Sequence, residues 1–538
     1  MYLAYEPDEL LRRGSILTMP TFAAIDIGSN SCRLAIASVQ QHRLKMLYEE
    51  REVVRLGASV FETGMISPEA MDLTIKALKR FQKATQTHVV DRVRVVATSA
   101  MRDARNSEAF RAWVKSTTGW DVEIISGLEE GRLIHLGVVT HEPGAKGRCL
   151  MIDLGGGSCE VTLSEAGRIK SMVSMPLGAV RLQQEFMHTD PPGKDEIAGL
   201  RKYIGRELDR GERRLGQPRV ALVLATSGTA SALAEASRSL TAAATKGKKR
   251  ASTAASRAKA SIVPTAHVRL IADQLMKMTN DQRANFPGIG PKRSEIIVGG
   301  AQVYAMLLER FGLKGFRYSS RSLRDGVLAQ MLADVDTRAS VHRTVENERR
   351  EGVLQVCRRY GVDARKMESV RLQVSQTFDQ LQRVHELPND YKTWLEAAAM
   401  MQNVGKYMNH QGHHRHTQYI IANSDIFGFS PEQRAIVAAI ARYQGKSRPV
   451  SMDRPMRAIP PDEHTHVVRA VMLLRLVQAL NQDQATAALR MTARVFPKRV
   501  ILEIHGARGG AELEQWSLRK EADYFLEVFR RALFVEVA

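Results

Sequence analysis

The sequence predicts a two-lobed α/β half followed by a mainly helical half and a small α+β end. Three observations carry this. First, FAAIDIGSNSCRLAIASV (22–39) and CLMIDLGGGSCEVTL (149–163) share one grammar. Each runs from an apolar stretch through an aspartate and a glycine-containing polar loop into a second apolar stretch, the pattern of a hairpin. Asp26 and Asp153 hold equivalent places, so the pair reads as an internal duplication with one hairpin per lobe. Second, strand-like and helix-like stretches alternate up to about residue 335. Third, helical periods then dominate to about residue 490.

The elements follow in order. Residues 1–20 are expected to be an N-terminal extension, unless the chain properly starts at Met19. After the first hairpin, 69–83 places Met71, Ile75 and Leu78 on one helical face. VRVVAT (93–98) reads as a buried strand, with a helix around 106–116. VALVLATSG (220–228) is a third apolar strand ending in a glycine turn. The stretch 241–260 has six basic residues, no acid and no bulky apolar side chain, and reads as an exposed insertion. HVVRAVMLLRLVQAL (466–480) is a buried helix; 499–506 and 525–537 suggest the terminal unit. The expected division is lobe I 21–136, lobe II 137–334, a helical domain 335–498 and a terminal unit 499–538.

A chain of 538 residues exceeds one core, and about 150 residues per domain gives three or four domains. The formal charge is +20, which attracts polyanions but equally fits a merely soluble basic surface. Four cysteines lack CxxC spacing, which argues against a disulfide framework or a cysteine zinc site and fits a reducing cytoplasm. No run of about 18 apolar residues marks a membrane span, and the first 20 residues lack signal-peptide order.

DIGSNS (26–31) and DLGGGS (153–158) carry most of the functional weight. Glycine lets consecutive backbone N–H groups turn onto one anion, and serine and asparagine add donors. An aspartate at the strand end can hold Mg²⁺ directly or through water. One such loop is also an ordinary turn; two copies plus TSGTAS (226–231) point to a phosphate clamp with neither Walker nor dinucleotide spacing. Candidate phosphate ligands are Asn30, Ser31, Gly155, Gly156, Gly157, Ser158 and Gly228, and candidate metal ligands are Asp26 and Asp153. The adjacent acids Glu129 and Glu130 follow the strand-like VEIIS. Glu130 is the candidate water-activating base, although an acidic pair also suits an ordinary helix start.

These segments resemble the exopolyphosphatase and guanosine pentaphosphate phosphatase family, Ppx/GppA. The resemblance is carried by AAIDIGSNSCRLAIA (23–37), VATSAMRDARN (96–106), IISGLEEGRLIHLGV (124–138), MIDLGGGSCEVTL (151–163), MPLGAVRL (175–182) and ATSGTASALAE (225–235), continuing through 293–304 and 318–328. It implies an actin-like, ribonuclease H-like fold in both lobes. It also implies that Glu130 is the general base, that Glu160 shares the cleft with Asp153 as a metal or water partner, and that Arg102 contacts phosphate. It further implies Mg²⁺, with Mn²⁺ as a substitute and K⁺ as a stimulating ion, and a homodimer.

MMQNVGKYMNHQGHHRHTQYIIANSD (400–425) resembles the HD superfamily of metal phosphohydrolases. Gln402 and Asn403 stand where the His-Asp pair would precede Val-Gly-Lys, so no working metal site is expected. His385 is a candidate relic of the first ligand. His410, His413, His414 and His416, with Arg415, are assigned to polyanion binding or packing.

The favoured function is removal of terminal phosphates from inorganic polyphosphate. The nearest alternative is hydrolysis of guanosine pentaphosphate, with the tetraphosphate as a further ligand. An actin-like kinase or ATPase and a non-enzymatic polyanion-binding regulator are the other classes. No sequence-specific nucleic-acid partner and no integral membrane association are expected; basic patches leave peripheral membrane contact open, with the cytoplasm as the compartment.

Overall fold

The computed structural model describes residues 20–245, 262–481, 489–506 and 511–537. The predicted extension and most of the basic insertion lie outside them. Two units are resolved, meeting between Arg343 and Thr344, and each is described by itself.

Unit 1 contains two sheets. The first is built from β1 (Thr21–Ile27), β2 (Ser31–Gln40), β3 (Arg43–Val53), β4 (Arg92–Ala97) and β5 (Val122–Ile124), in the order β3-β2-β1-β4-β5. The second uses β6 (Cys149–Leu154), β7 (Cys159–Glu165), β8 (Arg168–Met175), β9 (Leu222–Thr226), β10 (Val263–Pro264) and β11 (Gly315–Tyr318), in the order β10-β11-β9-β6-β7-β8. Without the short β10, the second order repeats the first strand for strand. In both, the first three strands run antiparallel and the next two join parallel to the hairpin's first strand. This is the duplicated actin-like lobe. Each central strand, β1 or β6, is an almost fully buried apolar run because helices cover both faces. The lobes keep separate cores, one around Ile25, Phe81 and Phe110, the other around Ile152, Leu233 and Tyr304.

The predicted hairpins, the helix at 69–83 (Pro68–Thr87) and the strand at 93–98 are all present. The sequence reading missed β3, an edge strand whose Lys, Arg and Glu side chains mostly face solvent and hide its period. The predicted lobe boundary after residue 136 falls inside the helix Gly127–His141. That helix leaves β5 of lobe I yet packs on β7 and β8 of lobe II, while the helix Leu323–Val335 leaves lobe II and packs on β1 and β2. The two helices therefore exchange lobes and cross. At the crossing a Cβ on Gly326 would overlap the Leu133 carbonyl, and one on Gly137 would lie 2.8 Å from the Gly326 nitrogen.

Unit 2 is helical, with its core around Leu395, Met401, Ile440 and the buried helix His464–Leu480. A sheet of β12 (Arg490–Val495), β13 (Arg499–His505) and β14 (Ala532–Val537) completes it, in the order β12-β13-β14. The expected boundary at 499 cuts this sheet, because β12, with only Met491 fully buried, carries too weak an alternation to be read as a strand. Nor is the end a separate body: Val500, Leu502 and Ile504 share the helical core, and the Gln380 side chain accepts from the Ala493 N–H at 2.8 Å.

Gly326→Ala is expected to destabilise unit 1 by about 1–3 kcal/mol through backbone overpacking, against the gain of up to about 1 kcal/mol that alanine normally brings within a helix. Gly199, in the helix Lys194–Leu215, would place its Cβ 3.8 Å from its nearest neighbour, so Gly199→Ala should be neutral or stabilising. Denaturant unfolding of both variants checks the difference in sign.

Candidate active site

The two glycine loops are built alike. In the first, the Gly28 N–H donates to the Ser31 carbonyl at 3.2 Å; in the second, Gly155 donates to Ser158 at 2.9 Å. Each loop is tied down by the start of a following helix. The Asn30 carbonyl accepts from Val54 and Arg55, and the Gly156 carbonyl from Val180 and Arg181. The loops also meet each other, since a Cβ on Gly156 would lie 2.9 Å from the Ser29 Cβ. Between them opens a cleft.

Of the predicted residues, Asp26, Asn30, Ser31, Glu130, Asp153, Gly155, Gly156 and Gly228 line this cleft. Arg102, Gly157, Ser158 and Glu160 stand behind its wall. Arg102 donates one N–H to Glu130 Oε2 at 3.1 Å and to the Ile125 carbonyl at 2.7 Å, so it orients the glutamate from behind. Glu160 is buried opposite Asp153 in the β6–β7 register, where Ser174 donates to its Oε1 at 2.7 Å and its Oε2 has no partner.

The structure separates the two adjacent acids. Glu129 is held bidentate by buried Arg132, both contacts at 2.8 Å, which also donates to Gln330. Its neighbour Glu130 faces the cleft. The helix carrying both acids starts at Gly127, behind the Ser126 N-cap, and lies close against β7 and β8. A Cβ on Gly131 would come within 2.5 Å of the Met172 sulfur and 3.4 Å of Glu160. That glycine approach is what brings Glu130 beside Glu160.

Burial is the main reason all four carboxyls hold protons more tightly than usual. Glu130 is raised to about 7, first by burial and further by Asp153 and Asp26, with Arg102 opposing. Glu160 is raised by burial, then by Glu130 and Asp153. Asp26 and Asp153 are raised by burial, eased by Arg33 in both cases. Thr226 also donates to Asp153.

Sequence reasoning missed the cationic wall. Arg33, Arg51 and Arg293 line the cleft. Burial, then Arg51 and Arg33, push Arg293 down to about 10. Arg33 was legible: it pairs with Asp26 in the β1–β2 register as Glu160 pairs with Asp153 in β6–β7. Arg51 lies on the missed β3, and Arg293 lies in an irregular segment; neither carries a local signal. Ser29 also lines the cleft, with a buried hydroxyl that has no partner.

Among the described residues, no group of three or more His, Cys, Asp or Glu side chains is placed to enclose a metal. The site suits magnesium all the same, because that ion keeps most of its waters and needs only one or two carboxylates plus substrate oxygens. Asp26, with a buried Oδ1 that has no hydrogen-bond partner, and Asp153 face the cleft and are the carboxylates that would hold it.

In unit 2, His385 is a satisfied core residue: its ring bonds the Phe378 carbonyl and the Leu387 N–H, at 2.8 and 2.9 Å. The side chain of Gln478 donates to both Gln402 and Gln444, and Gln444 donates to the Gln402 carbonyl at 2.8 Å. An amide network thus engages Gln402, one of the two residues that stand in place of the His-Asp pair. His413 is pushed down to about 4 by burial and by Lys406, His414, His410 and His416.

A carboxyl whose folded pKa is raised stabilises the fold fully below its unfolded value of 4.5 and loses that contribution as pH climbs through about 7. In EDTA, Glu130→Gln is therefore expected to be more stable than the parent at pH 8, by on the order of 1–3 kcal/mol, and to lose that gain near pH 5. Thermal unfolding at the two pH values checks this.

Comparison with known proteins agrees with this geometry. The sequence model of the Ppx/GppA phosphatase family matches residues 35–335, and that of Ppx/GppA phosphatase, domain III, matches 349–523. A crystal structure described as an exopolyphosphatase from Cytophaga hutchinsonii is similar at 27% identity and a TM-score of 0.53, covering 59% of this chain and 99% of that one. An exopolyphosphatase-like protein matches at 27% identity and 0.52, covering 58% and 97%. No described helix is long and apolar enough to cross a membrane. On the family match, the duplicated lobes and the paired loops, this chain belongs to the Ppx/GppA phosphatase family.

Proposed function

We propose that the protein is an exopolyphosphatase, releasing orthophosphate from the end of inorganic polyphosphate. One observation carries the reading most. Glu130, with a proton affinity raised to about neutrality, faces a cleft between two phosphate-cradling loops, with Arg102 fixing one of its oxygens. The similarity to a structure described as an exopolyphosphatase and the +20 charge support the polymer as substrate.

In this reading the terminal phosphate lies between the two glycine loops. Backbone N–H groups and the free Ser29 hydroxyl take some of its oxygens. Arg33, Arg51 and Arg293 take others and balance the charge that spreads over them during transfer. Glu130 holds a water in line with the terminal phosphorus. The water oxygen bonds to that phosphorus as the bridging P–O bond breaks, Glu130 takes the proton, and the shortened chain leaves with the bridging oxygen. Arg102 keeps the accepting oxygen aimed at the water. Bound at Asp26 and Asp153, magnesium would supply further neutralisation of phosphate oxygens.

Glu130→Ala should lower phosphate release from long polyphosphate by at least about 100-fold while polyphosphate still binds; full turnover would remove the base assignment. Parallel assays on polyphosphate, guanosine pentaphosphate and ATP, with and without Mg²⁺, should show the fastest release from polyphosphate. Faster release from the guanosine nucleotide would move the same chemistry to that substrate. Arg33→Ala should lower kcat/KM about tenfold or more and flatten its dependence on salt.

A further inference from the structure

We propose that Arg181 is a positioning residue: a clasp between the lobes that holds the second glycine loop in register with the Arg102–Glu130 pair. The inference rests on the hydrolase reading above.

Arg181 lies on the helix Ala179–Phe186 of lobe II, and its side chain is only 14% exposed. It is not among the residues lining the cleft, so phosphate does not reach it there. Its Nε donates to the Gly157 carbonyl at 2.9 Å, gripping the second loop from its own lobe. Its Nη2 crosses to lobe I, donating to Ser99 Oγ at 3.2 Å and to Asp103. The guanidinium plane covers the Phe61 ring, also in lobe I, at 4.1 Å. Glu185 completes the set at 3.5 Å from Nη1.

Ser99 and Asp103 are the first and last residues of one short helix, Ser99–Asp103, and Arg102 is on it. Arg181 thus grips both ends of the turn whose arginine orients Glu130. The same guanidinium grips the loop that follows Asp153. Little slack is left at the junction: a Cβ on Gly157 would come within 2.6 Å of Phe61.

The task suits arginine specifically. Four separate acceptors and an aromatic face need a planar fork, and a lysine ammonium satisfies them one at a time. The consequence is kinetic. Losing the clasp lets the Arg102 turn drift relative to the loop. Substrate still meets Arg33, Arg51 and Arg293, but water activation loses its alignment, and small misplacement costs rate steeply.

The test compares Arg181→Ala, Arg181→Lys, Asp103→Ala and the Arg181→Ala/Asp103→Ala pair in the full chain, with polyphosphate as substrate. Asp103 is 42% exposed, so its variant should fold normally. Arg181→Ala should lose about 10–100-fold in kcat with KM within about twofold, and Arg181→Lys should recover little. Millimolar guanidinium should restore Arg181→Ala several-fold without affecting the parent. The double variant should lose no more than the worse single one. A raised KM with unchanged kcat would make Arg181 a substrate contact and overturn the proposal, as would losses that multiply. Substrate-free hydrogen exchange supplies an arm independent of activity: residues 99–103 should exchange faster in Arg181→Ala. If the parent releases no phosphate from any phosphoanhydride, the hydrolase reading fails, and exchange alone decides the clasp; unchanged protection of 99–103 would then refute it.

Discussion

Four carboxyls at one cleft, three lining it and Glu160 behind its wall, are the constraint on which unit 1 turns. Asp26, Glu130, Asp153 and Glu160 are buried together, and desolvation raises the proton affinity of each. Apolar packing has no preference for this arrangement, so rigid surroundings must impose it. Here they do so with backbone: each glycine loop is fastened by main-chain bonds to the start of a following helix. Facing the acids are arginines that repel one another in turn, Arg33 and Arg51 against Arg293. The cleft therefore brings together two sets of like charge, each only partly offset by the other. A phosphate relieves the arginines; protons or a divalent cation relieve the carboxyls. The same strain that costs stability readies the site for an anion with a counter-ion.

Glycine enforces that geometry where side chains would hold elements apart. Gly131 lets the helix that begins at Gly127 press against β7 and β8, and this puts Glu130 next to Glu160. Two turns further on, Gly137 meets Gly326 of the other exchanged helix. One helix thereby places Glu130, the candidate base, at its start and joins the lobes along its length.

Much of this was legible in the residues alone. The duplicated hairpins with Asp26 and Asp153 follow from one repeated pattern, and the loops that frame the cleft follow from their glycines. The choice of Glu130 over Glu129 does not: both are acids at a helix start, and only the bidentate hold of Arg132 on Glu129 separates them. The family resemblance had favoured Glu130, and the packing supplies a physical reason. Arg51 and Arg293 reach the cleft through tertiary folding, from an edge strand of polar pattern and from an irregular segment, so no local periodicity announces them. The misplaced boundaries have the same origin. A helix exchanged between lobes cannot be divided by composition, and β12 shows its pairing only beside β13.

The duplication also explains how a symmetric fold yields a directional reaction. The register that faces Asp153 with Glu160 faces Asp26 with Arg33. Nothing else in the two hairpins need differ for the lobes to take opposite roles. Lobe II, with the exchanged helix packed on it, gathers acid on acid beside Glu130. Lobe I places a guanidinium at the matching position, and Arg51, its partner in the β2–β3 register, adds a second. In the proposed reaction a phosphoryl group in the cleft would meet Arg33 and Arg51 from lobe I, Arg293 from lobe II and the candidate base Glu130. Exchanging the two residues would keep both hairpins and their cores. It would also reverse the charge difference between the hairpins, so that difference resides in these register partners rather than in the fold.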